Sequence, residues 1–292
     1  MRVLIAGCGY VGSALGELLA SGGHTVFGLR RDPASLPGTI APVAADLSRP
    51  VASETLPAAL DYVYYTASAG SPDDAAYRAA YVDGPANLLK ALAPQQAGVR
   101  RLFLTSSTGV YSQKNGEWVD EDSPTEPEGQ TGRRLLQGER VVAEGPLPAT
   151  VVRLSGIYGP GRTQSIARAL GAVSDMSANA TLDEGPPAYT NRIHRDDCAG
   201  VLRHLMSLPS PAPLYLATDC EPTDLRTVAR WLSARQQESG PRQSGPRQSG
   251  KRRRANKRCN NRRLLASGYE FRYPTFREGF AGLLDEVWPD GL

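Results

Sequence analysis

No stretch of roughly 18 or more apolar residues occurs in this sequence, so no segment is long enough to form a membrane-spanning helix. Cysteine is sparse. Cys8, Cys198, Cys220 and Cys259 are scattered, form no C-x-x-C pair, and do not cluster with His24, His194 or His204 at the spacing of a metal site. Neither a disulfide framework nor a metal is therefore expected, and a reduced, cytoplasmic protein is. The opening Met1-Arg2 and its apolar run have the look of a secretory leader, but Gly7, Gly9, Gly12 and Glu17 interrupt it. An excess of one charge is also missing: 33 Lys and Arg stand against 30 Asp and Glu, a formal +3. What is present is 40% hydrophobic and 22% charged residues with 30 Gly and 23 Pro, a soluble globular composition. A chain of 292 residues makes one large or two joined domains.

The near-neutral total hides an uneven distribution. Between Ser239 and Arg263 lie ten basic residues and no acidic one, which leaves 23 basic against 30 acidic residues, or −7, for everything else. Within that segment Ser239-Gly-Pro-Arg-Gln is repeated from Ser244 and begun again at Ser249-Gly250. Such a repeat has no face to bury, so a flexible basic loop at about 237–256 is expected. Lys251 to Arg258 carries no interleaved aromatics, so nucleic acid is not the expected partner.

The N-terminus is the informative region. Val3-Leu4-Ile5-Ala6 is a short continuous apolar run, as a strand buried on both faces requires. Gly7-Cys8-Gly9-Tyr10-Val11-Gly12 then matches G-x-G-x-x-G, and Val11, Leu15, Leu18 and Leu19 repeat at helical spacing. In this order the first Gly permits the tight turn, the second lets backbone approach a pyrophosphate, and the third allows helix and strand to pack closely. The phosphates then sit on the helix N-terminus. Thr25-Val26-Phe27-Gly28-Leu29 reads as the second strand and ends in Arg30-Arg31 rather than Asp or Glu. An acid there binds a ribose 2′-hydroxyl, whereas Arg accommodates a 2′-phosphate, so NADP(H) is expected over NAD(H), with Arg31 stacking on adenine or pairing with phosphate.

Strand-like runs at Ala41 to Ala45, Tyr62 to Tyr65, Arg101 to Leu104 and Thr150 to Leu154 alternate with helical stretches such as Ala75 to Ala93 and Gly132 to Val142. That alternation predicts an α/β fold with a doubly wound, Rossmann-like parallel sheet over residues 1–160. Beyond it, helical stretches near Thr163 to Val173, Asp196 to Leu208 and Thr223 to Arg235, with a short strand at Leu214 to Ala217, predict a smaller C-terminal substrate region over 161–292.

With these segments placed, the chain resembles the extended short-chain dehydrogenase/reductases, the NAD-dependent epimerase/dehydratase family, over nearly its whole length. The segment Thr105-Ser106-Ser107-Thr108-Gly109-Val110-Tyr111 is similar to the family's Ser-Ser-x-x-Val-Tyr. Arg153 to Arg162 and Asn191 to Asp197 are similar to the stretch that passes the nicotinamide and to the His-x-Asp-Asp segment. The resemblance implies that Asp46 contacts adenine, that Thr66, Ala67, Ser68 and Leu154 face the cofactor, and that Ser107 is catalytic. It also exposes departures. Counting back from Glu139, the family's Tyr-x-x-x-Lys falls on Thr131 and Leu135, and its relay Asn on Tyr81.

A Thr hydroxyl has no accessible pKa, and loss of a general acid costs on the order of 10²- to 10⁴-fold. By residue type Tyr111, Tyr158 and His194 are the candidates to replace it, with an ordering role for His194 between domains as the plainer alternative. The expected protein is an NADP(H)-dependent oxidoreductase or epimerase-like enzyme acting on a hydroxyl or carbonyl of a small molecule, sugar-related substrates among them. A cofactor-binding sensor without turnover is the alternative. A homodimer is among the expected assemblies.

Overall fold

A computed structural model describes residues 1–169, 186–238 and 256–287. The basic repeat lies outside them. Seven parallel strands form the central sheet: β1 (Arg2–Ala6), β2 (Thr25–Arg30), β3 (Ala41–Ala44), β4 (Tyr62–Tyr65), β5 (Arg101–Ser107), β7 (Ala149–Leu154) and β11 (Leu214–Ala217), in the order β11-β7-β5-β4-β1-β2-β3. Three short ladders lie beside it. They pair β6 (Glu117–Val119) with β13 (Lys257–Cys259), β8 (Gly156–Tyr158) with β10 (Arg192–His194), and β9 (Tyr189–Thr190) with β12 (Thr223–Asp224).

The unbroken apolar run of β1 has a simple cause. Alternate residues of a strand point to opposite faces, and both faces of this sheet are covered. Val3 and Ile5 join Leu15 and Leu19 of α1 (Tyr10–Ser21) in one core cluster. Leu4 and Ala6 join Leu88 and Leu92 of α3 (Gly84–Leu92) in the other. The first cluster also takes in Leu202 and Leu205 of α5 (Arg195–Ser207), which packs against α1. A third cluster gathers Tyr158, Val228 and Leu232 of α6 (Leu225–Glu238), and Phe276 and Phe280 of α8 (Phe276–Ala281).

Two elements differ from the sequence expectation. The strand at Leu214 to Ala217, read with the C-terminal region, is the seventh strand of the main sheet, with Leu214 beside Val151 and Ala217 beside Leu154. The chain thus returns to the sheet after residue 160. The helix expected over Ala75 to Ala93 is three pieces: α2 (Asp74–Arg78), a wider π-helical turn at Ala79–Asp83, and α3. The Tyr65 hydroxyl donates to the Ala80 carbonyl, whose i+5 position in the π-helical turn is Pro85, a residue with no N–H to give. Gly138 of α4 (Gln130–Ala143) approaches the Tyr81 carbonyl so closely that a Cβ would lie 1.9 Å from its oxygen. Among the described residues no helix is long and apolar enough to cross a membrane, and no group of three or more His, Cys, Asp or Glu could hold a metal ion.

The basic residues that closed the charged segment are folded. Lys257 and Arg258 lie in β13, and Arg262 and Arg263 in α7 (Arg262–Ala266). The Lys257 ammonium is buried, donates to the Tyr111 carbonyl at 3.0 Å, and is held below the usual lysine range by that burial.

Candidate active site

The strand order reverses between β1 and β4, and that switch point is where open α/β sheets bind their ligands. The glycine turn opens there. Gly7 has φ +84, and a Cβ on it would lie 2.3 Å from the Ala67 backbone. A Cβ on Gly12 would come within 2.7 Å of Thr66 Oγ1. Thr66 Oγ1 in turn donates to the Gly7 carbonyl at 2.9 Å, tying the two loops together. Gly9 is different: a Cβ there would make only an ordinary contact, with the Gly7 carbonyl oxygen at 3.8 Å. As N-cap of α1 it offers no side-chain hydrogen bond, and the first turn holds no acidic residue. The helix start is therefore left for an outside anion, and a pyrophosphate fits it.

A cleft of about 1070 Å³ runs across this point. Gly7, Gly9, Tyr10, Val11, Arg30, Arg31, Asp46, Thr66, Ala67, Ser68, Ser107 and Leu154 all line it. Gly12, alone of the residues expected to bind cofactor, does not; it serves the packing of α1 on the end of β4. At the β2 end, the Asp46 carboxylate accepts from the Ser48 amide at 3.0 Å and its hydroxyl at 2.7 Å, and these bonds hold its pKa below the usual carboxylate range. Asp32, also in the lining, accepts from the Ala34 amide at 3.1 Å. Among the described residues the Arg30 and Arg31 guanidinium groups have neither hydrogen-bond nor ion-pair partners. The β2 end of the cleft thus presents two guanidinium groups with no hydrogen-bond or ion-pair partner among the described residues, Arg31 within electrostatic reach of Asp46, while Asp32 and Asp46 are hydrogen-bonded in local turns.

The opposite end is built on β5. Ser107 Oγ accepts from the Gly109 amide at 3.1 Å, which leaves its own hydrogen available to the cleft. Its neighbour Ser106 faces inward and donates to Glu139 Oε1 at 2.5 Å. Glu139 pairs with Arg153 through two bonds of 2.7 and 3.0 Å, Arg153 donates to the Tyr111 hydroxyl at 2.8 Å, and that hydroxyl donates to the Asp120 carbonyl at 2.6 Å. The chain of bonds braces the floor of the cleft from behind. Thr131 and Leu135 are in the cleft lining where the resemblance looks for Tyr and Lys.

None of the three residues named as replacement acids lines the cleft. Tyr111 is enclosed in the Arg153 network, and burial pushes its phenol up to about 12. Tyr158 is fully buried against Phe280 and its phenol is raised further still by desolvation. His194 caps α5, its Nδ1 accepting from the Asp196 amide at 3.1 Å, and its ring lies between Tyr158 and Tyr273. Burial lowers the His194 pKa to about 4.

A depressed histidine contributes stability that is present above about pH 6.5 and is lost as pH falls toward 4. His194→Asn, which keeps a capping oxygen, should flatten that acid limb of a stability profile. The wild-type His194 imidazole resonance should stay unshifted between pH 6 and 8, about the range in which an unperturbed histidine titrates. A titration midpoint in that interval would return His194 to the set of working acids.

Two cleft residues were missed by residue-type reasoning. Tyr81, on the π-helical turn, lines the cleft with its phenol pushed up to about 12 by burial, so it carries its proton at neutral pH. Arg162 lines it from the segment after β8. The displaced relay position had marked Tyr81 in the sequence, but only the turn places it beside Leu135 and Leu136.

The profile of the NAD dependent epimerase/dehydratase family matches residues 3–196. A 3-diazoavenalumate denitrifying reductase from a Streptomyces species is 30% identical over 249 residues, covering 80% of this chain and 79% of that protein. An NAD-dependent epimerase/dehydratase structure from Methylobacillus flagellatus is 35% identical, covers 98% of both chains and superposes with a TM-score of 0.76. The UDP-glucuronic acid 4-epimerase of Bacillus cereus, solved with NAD, shares the fold at 16% identity, covering 99% of this chain and 100% of that one with a TM-score of 0.73. The family match takes in every strand of the central sheet except β11, and on that extent the chain belongs to the NAD dependent epimerase/dehydratase family.

Proposed function

We propose that this protein is an NADP(H)-dependent oxidoreductase acting on a small molecule bound beside Ser107. The observation that supports it is the pair of unpartnered guanidinium groups, Arg30 and Arg31, in the same cleft as the uncapped start of α1. The cofactor, when bound, supplies or takes up hydride. Gly7, Gly9 and the α1 N-terminus receive the pyrophosphate, Arg30 receives the 2′-phosphate, and Asp46 lies on the adenine side. Ser107 orients a substrate hydroxyl or carbonyl oxygen with its free hydrogen. Sugar-related substrates remain within this reading.

Thr131 and Leu135 bear on which substrates suit the site. Neither supplies an acid or lowers the pKa of one, so carbonyl reduction has to draw its proton elsewhere in the cleft. An acceptor in which hydride gain breaks a C–N bond and expels dinitrogen needs no proton on oxygen. The name of the Streptomyces relative thus puts diazo compounds into the substrate panel beside ketones, alcohols and nucleotide sugars. The same two positions favour a second reading, a sensor that binds NADP(H) without turnover. Consumption of NADPH with any panel member supports the enzyme, whereas tight cofactor binding with an unreactive panel supports the sensor.

Calorimetry with four dinucleotides tests the cofactor preference. Arg30→Ala is expected to weaken NADP(H) by about tenfold or more, the worth of a charge-assisted hydrogen bond, and to leave NAD(H) unchanged. Equal binding of NAD and NADP by the wild type would sink the preference.

A further inference from the structure

After β8 the chain turns tightly at Gly159–Arg162, where the Arg162 amide donates to the Gly159 carbonyl at 2.9 Å. This strap lies against the start of α1. The Tyr10 hydroxyl donates to the Pro160 carbonyl at 2.9 Å. A Cβ at Gly159 would meet the Tyr10 hydroxyl oxygen at 2.8 Å and the Arg195 Cβ at 3.1 Å, so the close approach depends on glycine, as does its φ of +150. The strap delivers the Arg162 guanidinium to 5.8 Å from the Tyr10 ring centre.

The charge of Arg162 is felt on both walls of the cleft. It acts on Tyr10 at the first turn of α1, and on Tyr81, whose hydroxyl reaches the Ala69 backbone in the loop after β4. Arg162 lines the cleft that crosses the switch point, where a dinucleotide bends over the sheet. Of the described residues lining the cleft, Arg30, Arg31 and Arg162 are the only cations, and the first two sit at the end of β2. Arg162 has neither hydrogen-bond nor ion-pair partner among the described residues. A helix N-terminus supplies only about half an elementary charge, while a pyrophosphate diester carries two negative charges.

Resting on the cofactor reading above, we propose that Arg162 is the counter-ion of the dinucleotide pyrophosphate, carried to it by a strap that the Tyr10 hydroxyl pins to α1. The phosphates are then held from two sides, by backbone amides of α1 below and by a guanidinium above. Arg162 is a binding residue and Tyr10 a positioning residue.

Calorimetry with three probes tests this without any substrate. ADP-ribose has both phosphates and no nicotinamide, NADP⁺ has the whole framework, and adenosine 2′-monophosphate lacks the pyrophosphate. Arg162→Gln is expected to weaken ADP-ribose and NADP⁺ alike, by about tenfold, and to leave adenosine 2′-monophosphate unchanged. Tyr10→Phe keeps the ring but frees the strap, and is expected to give the same pattern with a smaller loss. Unchanged ADP-ribose affinity in Arg162→Gln would overturn the proposal and assign the guanidinium to an anion on the substrate. An equal loss on all three probes would also overturn it. A wild-type protein that binds neither ADP-ribose nor NADP⁺ would show instead that the cofactor reading itself has failed.

Discussion

Glu139→Ala is expected to lower the unfolding free energy by about 3–5 kcal/mol, the usual cost of leaving a buried charge without its partner. Arg153 is only 5% exposed. Without Glu139 it keeps the Tyr111 hydroxyl and loses two charge-assisted bonds, and the Ser106 hydroxyl loses its acceptor in the same step. Urea denaturation of the single variant measures the loss. The double variant Glu139→Leu with Arg153→Met should recover most of it, because replacing both members of a buried pair with apolar groups removes the desolvation problem instead of exposing it. A single variant within about 1 kcal/mol of wild type, the range of surface pairs, would mean that water reaches the pair. The consequence extends to the cleft, since Ser106 precedes Ser107 on β5 and the network fixes the end of that strand.

Gly9→Asp is expected to abolish dinucleotide binding, with a loss of 100-fold or more, in a protein that remains folded. Two like charges about 4 Å apart repel by roughly 4 kcal/mol at the dielectric typical of a protein surface. The carboxylate would also take the helix-start amides for itself, since Asp is among the preferred N-caps. A Cβ at Gly9 would meet the Gly7 carbonyl oxygen at 3.8 Å, an ordinary contact distance. Calorimetry with NADP⁺ and a thermal melt together read the outcome. Retained binding would show that the phosphates lie elsewhere. Gly7 offers no such separation of binding from folding, because any Cβ there strikes the Ala67 backbone.

The parts of the fold that could be read directly are those where a local pattern has a local cause. β1 is apolar at every position because Val3 and Ile5 enter one core and Leu4 and Ala6 the other. The G-x-G-x-x-G spacing fixes its own turn, and Arg30 stands at a strand end that the sequence already marked. What stayed illegible depends on distant partners. Nothing in Leu-Tyr-Leu-Ala says that Leu214 will lie beside Val151. Glu139 was recognisable as a helix marker, but its bonds to Arg153 and Ser106 were not. Tyr111, Tyr158 and His194 were chosen for their chemistry, and only burial removes them from the cleft. Tyr81 was marked only as a displaced relay position, because helical periodicity cannot anticipate the π-helical turn that Tyr65 and Gly138 contact from other elements.

The late position of β11 in the chain sets a schedule for synthesis. When residue 160 leaves the ribosome, six of the seven sheet strands have been made, yet β7 is still an open edge. The amides of Val151 and Ser155 wait for the carbonyls of Pro213 and Ala217. At roughly 5–20 residues per second the wait lasts several seconds, long enough for an unpaired edge to meet a neighbouring chain. The last strand to be made thus closes a sheet edge that the first 160 residues leave open.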